Sequence, residues 1–301
     1  YTGVGFSRIS VNPSLSIIYK LNYAWRFTAH ASYKERYGEM TDLYDRPYQT
    51  DYRNSVWNCG ILPVYRQQLY SVYGEYKSTA REFFATVNLT HNREWYNRIY
   101  EQRIENGQVQ RVSLPLSNHG SGYTVKSTLS KGFYDLGLKT SLMALLNISK
   151  AEQISGGQRL PYQYRLMRLE PKVIWTPNRH WETSYQTDIR YGGSKIGERT
   201  RLAPLWNVTQ QVQLSYIFSP IEASLSVDHY HNDVNEDQSV NSVFADFSVL
   251  WKSRRWQITA TATNLFDKRT YAYTRYASLE SYTSWVRIRP REFLVAIRYR
   301  L

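Results

Sequence analysis

Apolar and polar residues alternate with a period of two through most of the chain. In residues 24–34, Trp25, Phe27, Ala29, Ala31 and Tyr33 oppose Arg26, Thr28, His30 and Ser32. Successive side chains of a strand point to opposite faces, so this spacing predicts a strand with one apolar and one polar face. Residues 81–91 set Phe83, Ala85, Val87 and Leu89 against Glu82, Thr86, Asn88 and Thr90, with Phe84 out of phase. Residues 181–191 set Trp181, Thr183, Tyr185, Ile189 and Tyr191 against Glu182, Ser184, Gln186, Asp188 and Arg190. The pattern recurs in 208–218, 223–227, 243–251 and 256–262, and helical spacing fits none of these segments. It predicts an all-β chain of 13 long strands, near 6–20, 24–34, 66–77, 81–93, 121–131, 134–151, 162–176, 180–192, 206–218, 221–232, 241–252, 255–265 and 282–301.

The connections alternate between two lengths. Short ones fall near Asn22, Ser78 to Ala80, Gly132, Pro177 to His180, Ser219 to Pro220 and Ser253 to Arg254; long ones span 35–65, 94–120, 152–161, 193–205, 233–240 and 266–281, the second with room for a small hairpin near Gln108 to Pro115. Short turns at one end and long loops at the other are the pattern of a transmembrane antiparallel β-barrel of the bacterial outer membrane, with the short turns periplasmic. Aromatics gather at the short-turn ends: Tyr19, Tyr23 and Trp25, Phe83 and Phe84, Phe133 and Tyr134, Trp175 and Trp181, Tyr216 and Phe218, Trp251 and Trp256, and Tyr299. Amphipathic rings partition to the level where headgroups meet hydrocarbon, so this band reads as an interfacial girdle.

The mean hydropathy of −0.56 is low for a membrane protein. A strand with only every second residue on lipid averages out as hydrophilic, whereas a spanning helix needs 18 or more apolar residues in a row. The greasiest patch, Ser141 to Ile148, is interrupted by Asn147. Cys59 is the lone cysteine, which excludes a disulfide within the chain and cysteine-rich zinc sites. The net charge of +13 raises anionic partners. Because Lys and Arg are dispersed singly along alternating segments, with no nucleic-acid-binding motif, membrane lipid and lipopolysaccharide are expected and nucleic acid is not. No nucleophile elbow, P-loop or dinucleotide fingerprint occurs, so neither catalysis nor a cofactor is expected. His229 and His231 share a face but lack further ligands, and the acidic run after them lacks the glycine and closing glutamate of a calcium loop.

The segment Thr261-Ala-Thr-Asn-Leu-Phe-Asp-Lys-Arg-Thr-Tyr271 resembles the Asn-Leu-Phe-Asp-Lys-x-Tyr signature near the end of TonB-dependent receptors, and Arg289-Pro-Arg-Glu-Phe-Leu-Val-Ala-Ile-Arg-Tyr-Arg-Leu301 resembles their final strand. Ile288 to Leu294, Tyr52-Arg53 and the Pro-Ser-Leu-Ser motif at 13–16 are similar to Bacteroidota members. The resemblance implies the C-terminal part of a barrel of the roughly 22-strand class, lacking its plug domain and first strands. It also implies a TonB complex acting through that plug, a possible surface lipoprotein partner, and uptake of a scarce nutrient such as a glycan, peptide, siderophore or vitamin complex.

Three groups of candidate residues follow. Tyr48, Tyr52, Trp57, Tyr96 and Tyr100 lie in or beside long loops and can stack on sugar or chelate rings. Glu182, Asp188, Arg190, Arg298 and Arg300 share the polar parity and would line the lumen and hold a plug. Phe293, Val295, Ile297, Tyr299 and Leu301 form the apolar face of the last strand, an expected assembly signal. A passive porin or adhesin of about 14 strands and a soluble carbohydrate-binding β-protein are the alternative readings. Counting back from a last strand that descends to the periplasm puts the first residues outside. The first and last strands are therefore expected to stay apart or to pair with other polypeptide.

Overall fold

The computed structural model describes residues 9–105, 107–197, 200–201, 204–235, 237–277 and 280–300. The first strands are β1 (Ser14–Lys20), β2 (Trp25–Tyr37), β3 (Tyr48–Gln49), β4 (Asn54–Trp57), β5 (Val64–Ser78), β6 (Phe83–Tyr96) and β7 (Ile99–Glu105). Then come β8 (Gln108–Leu114), β9 (Asn118–Phe133), β10 (Leu138–Ser155), β11 (Gln158–Asn178), β12 (Trp181–Ile196), β13 (Thr200–Arg201) and β14 (Leu205–Phe218). The last are β15 (Ile221–Asp233), β16 (Ser239–Lys252), β17 (Trp256–Thr263), β18 (Thr270–Ala277), β19 (Glu280–Arg287) and β20 (Glu292–Tyr299). Thirteen of them, β1, β2, β5, β6, β9, β10, β11, β12, β14, β15, β16, β17 and β20, pair antiparallel, each with the next, in one meander. Among the described residues β1 pairs only with β2 and β20 only with β17, so the two edge strands are not joined.

The register aligns like with like across the wall. Ile17, Ala29, Val72, Leu89, Val125, Leu146, Met167, Tyr191 and Trp206 form one unbroken cross-strand row. Leu138, Trp175, Thr183, Leu214, Leu225, Phe247, Ala262 and Phe293 form another nearer the short turns. These side chains stand on the surface rather than in a core: Val72 is 52%, Leu89 49% and Phe293 74% exposed. The opposite face is polar, as in the row Ser16, His30, Ser71, Thr90, Thr124 and Asn147. There, Ser16 and His30 share a hydrogen bond of 2.8 Å, and Asn147 Nδ2 donates to Thr124 Oγ1 at 2.8 Å. A one-residue slip would exchange the two faces of a strand, so the burial pattern pins the register.

Along β6 the apolar-face residues run Phe83, Ala85, Val87, Leu89 and His91 before the first charge, Arg93. Ten residues at about 3.3 Å each, tilted by about 40°, cover roughly 25 Å of height, the thickness of the apolar band of an outer-membrane barrel. No helix among the described residues is long and apolar enough to cross a membrane.

Several expected boundaries move. Of the strand expected near 6–20, only Ser14–Lys20 is a strand, and residues 1–8 lie outside the described set. The expected long loop 152–161 is a tight hairpin: β10 and β11 continue to a Gly156-Gly157 turn, where φ of 57° and 75° suits glycine. The turn expected at Gly132 falls later, at Tyr134–Leu136, and Gly137 closes it at φ 60°. The loops near 94–120 and 266–281 hold the hairpins β7–β8 and β18–β19. Residues 282–287, expected to open the last strand, belong instead to β19 of the second hairpin. Pro290, which has no N–H to donate, separates them from β20.

Candidate functional site

At the long-loop end, the first two long loops fold against each other. β4 runs parallel to β8 from Asn54↔Val109 to Trp57↔Val112, and β7 meets β10 at Ile154↔Glu101. A small core forms there from Ile99, Val112 and Ile154, all buried, with Asn58 and Ser113. Asn58 Nδ2 donates to Thr41 O at 3.1 Å, Arg98 pairs with Asp42 at 2.8 Å, and Gly157 N donates to Glu101 Oε1 at 3.1 Å. Side-chain caps thus satisfy loop backbone that no ladder reaches. Asp51 shows the same device: its carboxylate accepts from Asn54 Nδ2 at 2.7 Å and from the amides of Arg53 and Asn54, which holds it below the usual carboxylate range.

The candidate loop aromatics do not converge on one point. Tyr48 packs edge-on to Tyr44 with ring centroids 6.1 Å apart, and Trp57 Nε1 donates to Asp45 O at 2.8 Å, which pins it within its own loop. Tyr52 is the freely exposed one, with the Arg53 guanidinium 5.3 Å from its ring. Tyr100 lies between two cations, Arg111 at 3.7 Å and Arg98 at 5.0 Å, and its burial raises its hydroxyl above the ordinary tyrosine value. Tyr96 belongs to the polar face, where its hydroxyl donates to Glu94 Oε2 at 2.9 Å. Glu94 is the hub of that corner, also accepting from Tyr65 at 3.1 Å, Gln67 at 3.2 Å and Asn92 at 2.9 Å. Sequence reading missed Glu94, whose only signal was polar parity near a strand end, because its partners come from two strands.

Of the lumen candidates, Asp188 and Arg190 form a built cluster. Arg168 grips Asp188 with two bonds of 2.9 and 3.0 Å, Arg190 adds bonds of 2.9 and 2.6 Å, and Glu170 pairs with Arg168. Glu182 shares this face six positions away, opposite Ser215, and is not brought to the cluster. Arg298 lies opposite Gln257 on the same face near the short-turn end, and Arg300 follows the strand, its amide donating to Arg255 O at 2.8 Å. Phe293, Val295, Ile297 and Tyr299 occupy the apolar face of β20, each exposed; Leu301 lies outside the described residues.

A second corner was not legible beforehand. The β18–β19 hairpin folds onto the polar face, where Tyr271 meets Tyr230 at 5.2 Å and Phe244 at 6.4 Å, both edge-on. Asn232 Nδ2 donates to Ala272 O at 3.0 Å and anchors the hairpin. A hollow of about 490 Å³ lies beneath, lined by Asp228, Tyr230, Phe244, Asp246, Tyr271 and Arg289. The Asn264-Leu-Phe-Asp267 segment is the knot that holds it. Buried Asn264 donates through Nδ2 to the carbonyls of Lys268 and Arg289 at 2.8 and 2.9 Å, and Asp267 accepts from Arg291 N at 3.0 Å. Arg269 also pairs with Asp267 at 2.9 Å, and the Arg291 amide and this guanidinium hold its carboxyl below the usual range. The Asn264 and Asp267 side chains of the resemblance motif thus act on backbone geometry. His231 lies on the apolar side, bonded to Asn241 at 2.9 Å and facing Asp233 at 3.2 Å, and no group of three metal-ligand side chains occurs among the described residues.

An exposed apolar band edged by aromatics, an opposed polar face and loops sorted by length are the construction of an outer-membrane β-barrel wall, and the chain is assigned to that membrane. No family model and no curated protein matches the sequence. Among solved structures, the chain is similar to the ferric yersiniabactin uptake receptor FyuA of Yersinia pestis, with 7% identity, a TM-score of 0.45, and 96% of this chain aligned to 50% of that one. It is similar to FpvA of P. aeruginosa, solved with bound pyoverdines, at 10% identity and TM-score 0.48, covering 96% and 44% of the two chains. It is also similar to the siderophore receptor PirA of Acinetobacter baumannii, at 8% identity and TM-score 0.43, covering 84% and 52%. The chain spans about half the length of these solved chains.

Proposed function

We propose that this chain is the C-terminal wall of a TonB-dependent transporter that captures a scarce nutrient at its outer loops and releases it inward when a plug, contributed by polypeptide outside this sequence, rearranges. The observation that carries the reading is the open meander: among the described residues, thirteen wall strands end in two edges that do not pair with each other. In hydrocarbon, unpaired edge amides and carbonyls are costly, so both edges need further strands. The polar face fits a plug, because Arg190, Arg298 and Glu182 offer hydrogen bonds toward the lumen. The reading also draws on the resemblance of Thr261 to Tyr271 and of the last strand to TonB-dependent receptors. Tyr52, Tyr100 and the hollow beneath the last hairpin are the ligand contacts of this reading, and its chemistry is binding and passage, with no catalysis.

Planar-bilayer conductance of the natural full-length protein tests it. A plugged transporter stays closed in salt alone and opens when urea loosens the plug. Steady conducting steps in salt alone would identify a passive pore and refute the proposal. Recovery of the protein in aqueous solution without detergent would point instead to the soluble alternative.

A further inference from the structure

The apolar side of the wall carries a row of cations that neither lumen nor loops use. Arg93, Ser121, Lys150, Gln163 and Lys195 are successive register partners across β6, β9, β10, β11 and β12. Every second strand therefore presents a cation, and neighbouring strands lie about 4.8 Å apart, so successive cations stand roughly 10 Å apart. Arg165 lies on the same face of β11, one row nearer the apolar band, opposite Ile148. Arg93, Lys150 and Arg165 are exposed. With Trp95 and His119 the row lines an outward groove of about 420 Å³.

Among the described residues the cations are not neutralised: no carboxylate comes within salt-bridge distance of Arg93, Lys150, Arg165 or Lys195. The carboxylate in the groove, Glu152, is held by Arg159 at 3.1 Å. One row further out the pattern reverses: Arg66 is paired with Glu35 at 3.1 Å. A single band of like charge is thus left free between a paired row above and lipid-facing side chains below.

Its height is also specific. Arg93 stands roughly 25 Å above Phe83, at the loop-end boundary of the apolar band. Immediately beneath, Tyr70, His91 and Tyr123 stack at 6.5 and 4.3 Å, followed by Val72, Leu89, Val125 and Leu146. A ligand filling both regions carries anions on top and hydrocarbon below.

We propose that this surface binds a phosphorylated glycolipid of the outer leaflet, with two phosphates held between Arg93, Lys150, Arg165 and Lys195 and the acyl chains laid along the Val72 to Leu146 row. Arg and Lys give charge-assisted bonds to phosphate, and their apolar stems lie against the wall below. This inference rests on the membrane reading.

The test uses the natural full-length protein in phosphatidylcholine nanodiscs doped with bis-phosphorylated lipid A, with dephosphorylated lipid A, or with phosphatidylglycerol. Lipid retained around the protein is counted by mass spectrometry. We expect enrichment of the bis-phosphorylated form by about tenfold over the other two. The variant R93Q/K150Q/R165Q/K195Q should lose that preference while keeping the heat-modifiable gel shift of a folded barrel. Equal enrichment of all three lipids, or a folded variant that keeps the preference, overturns the site and leaves the membrane reading standing. Failure of the native protein to enter discs at all overturns both.

Discussion

The facing of β15 makes the strongest quantitative demand on the wall. Val227 lies between Val212 and Ala245 in the register, all on the apolar side, whereas its neighbour Ser226 lies between Gln213 and Asp246 on the polar side. Val227 lies six residue steps from Ile221, at the short turn. At about 3.3 Å per residue and about 40° of tilt, that places Val227 roughly 15 Å into a band about 25 Å tall, close to its middle. A lipid-facing Arg near the midplane costs about 2–4 kcal/mol, equivalent to a roughly 30- to 1,000-fold loss in the folding equilibrium. At Ser226 the same guanidinium enters the hydrated face beside Asp246, and the expected cost is under about 1 kcal/mol. Folding of the natural full-length protein into phosphatidylcholine vesicles, titrated with urea, reads the difference for V227R and S226R. Equal losses would refute the facing assignment and with it the register rows that depend on it.

Two further outcomes concern the loops. Because the folded Asp267 carboxyl titrates below its ordinary value of 3.8, its contribution is fully present above that value and is lost as pH falls through the depressed folded one. Amide hydrogen exchange in the 264–291 segment should therefore be faster in D267N than in the native protein at pH 6, and the difference should vanish in strong acid. Y100A removes the ring beneath Arg111 and Arg98, an interaction of about 0.5–1 kcal/mol, so trypsin should cut after these two arginines several-fold faster with the wall left intact.

How much of this was readable beforehand depends on whether a feature is local. Wall strands announce themselves through alternation, because each residue's facing is fixed by its own parity, and all thirteen were found this way. Their ends were less legible. Glu152 and Arg159 read as loop residues by polarity, yet β10 and β11 run on past the apolar band, since beyond the lipid both faces of a strand are free to be polar. The return arm of the last hairpin deceived for the opposite reason: Tyr282, Val286 and their neighbours alternate as a wall strand does, and only Pro290 marks the break. The site residues depended on contacts between distant segments. Glu94 collecting Tyr65 and Tyr96, Arg98 reaching Asp42, and Tyr271 folding against Tyr230 each join segments with no mutual signal in the sequence.

The two free edges give the final prediction, which separates the transporter from a small closed pore without knowledge of any ligand. If the chain closed on itself, β1 and β20, the first and last of thirteen alternating strands, would be parallel neighbours about 4.8 Å apart, within disulfide reach. Leu15, Ile17 and Tyr19 on β1 and Phe293, Val295 and Ile297 on β20 share the apolar side. Cysteines placed pairwise at these positions sample the possible registers. Cys59, whose sulfur lies 3.4 Å from Ser113 Oγ, is first replaced by serine. The control pair L225C and F247C, direct partners on β15 and β16, should oxidise readily in the membrane. If β1 and β20 both add further strands, none of the edge pairs should cross-link under conditions that close the control. An edge pair that forms in high yield would mean the meander closes directly, the lumen is that of a narrow pore with no room for a plug domain, and the uptake reading fails.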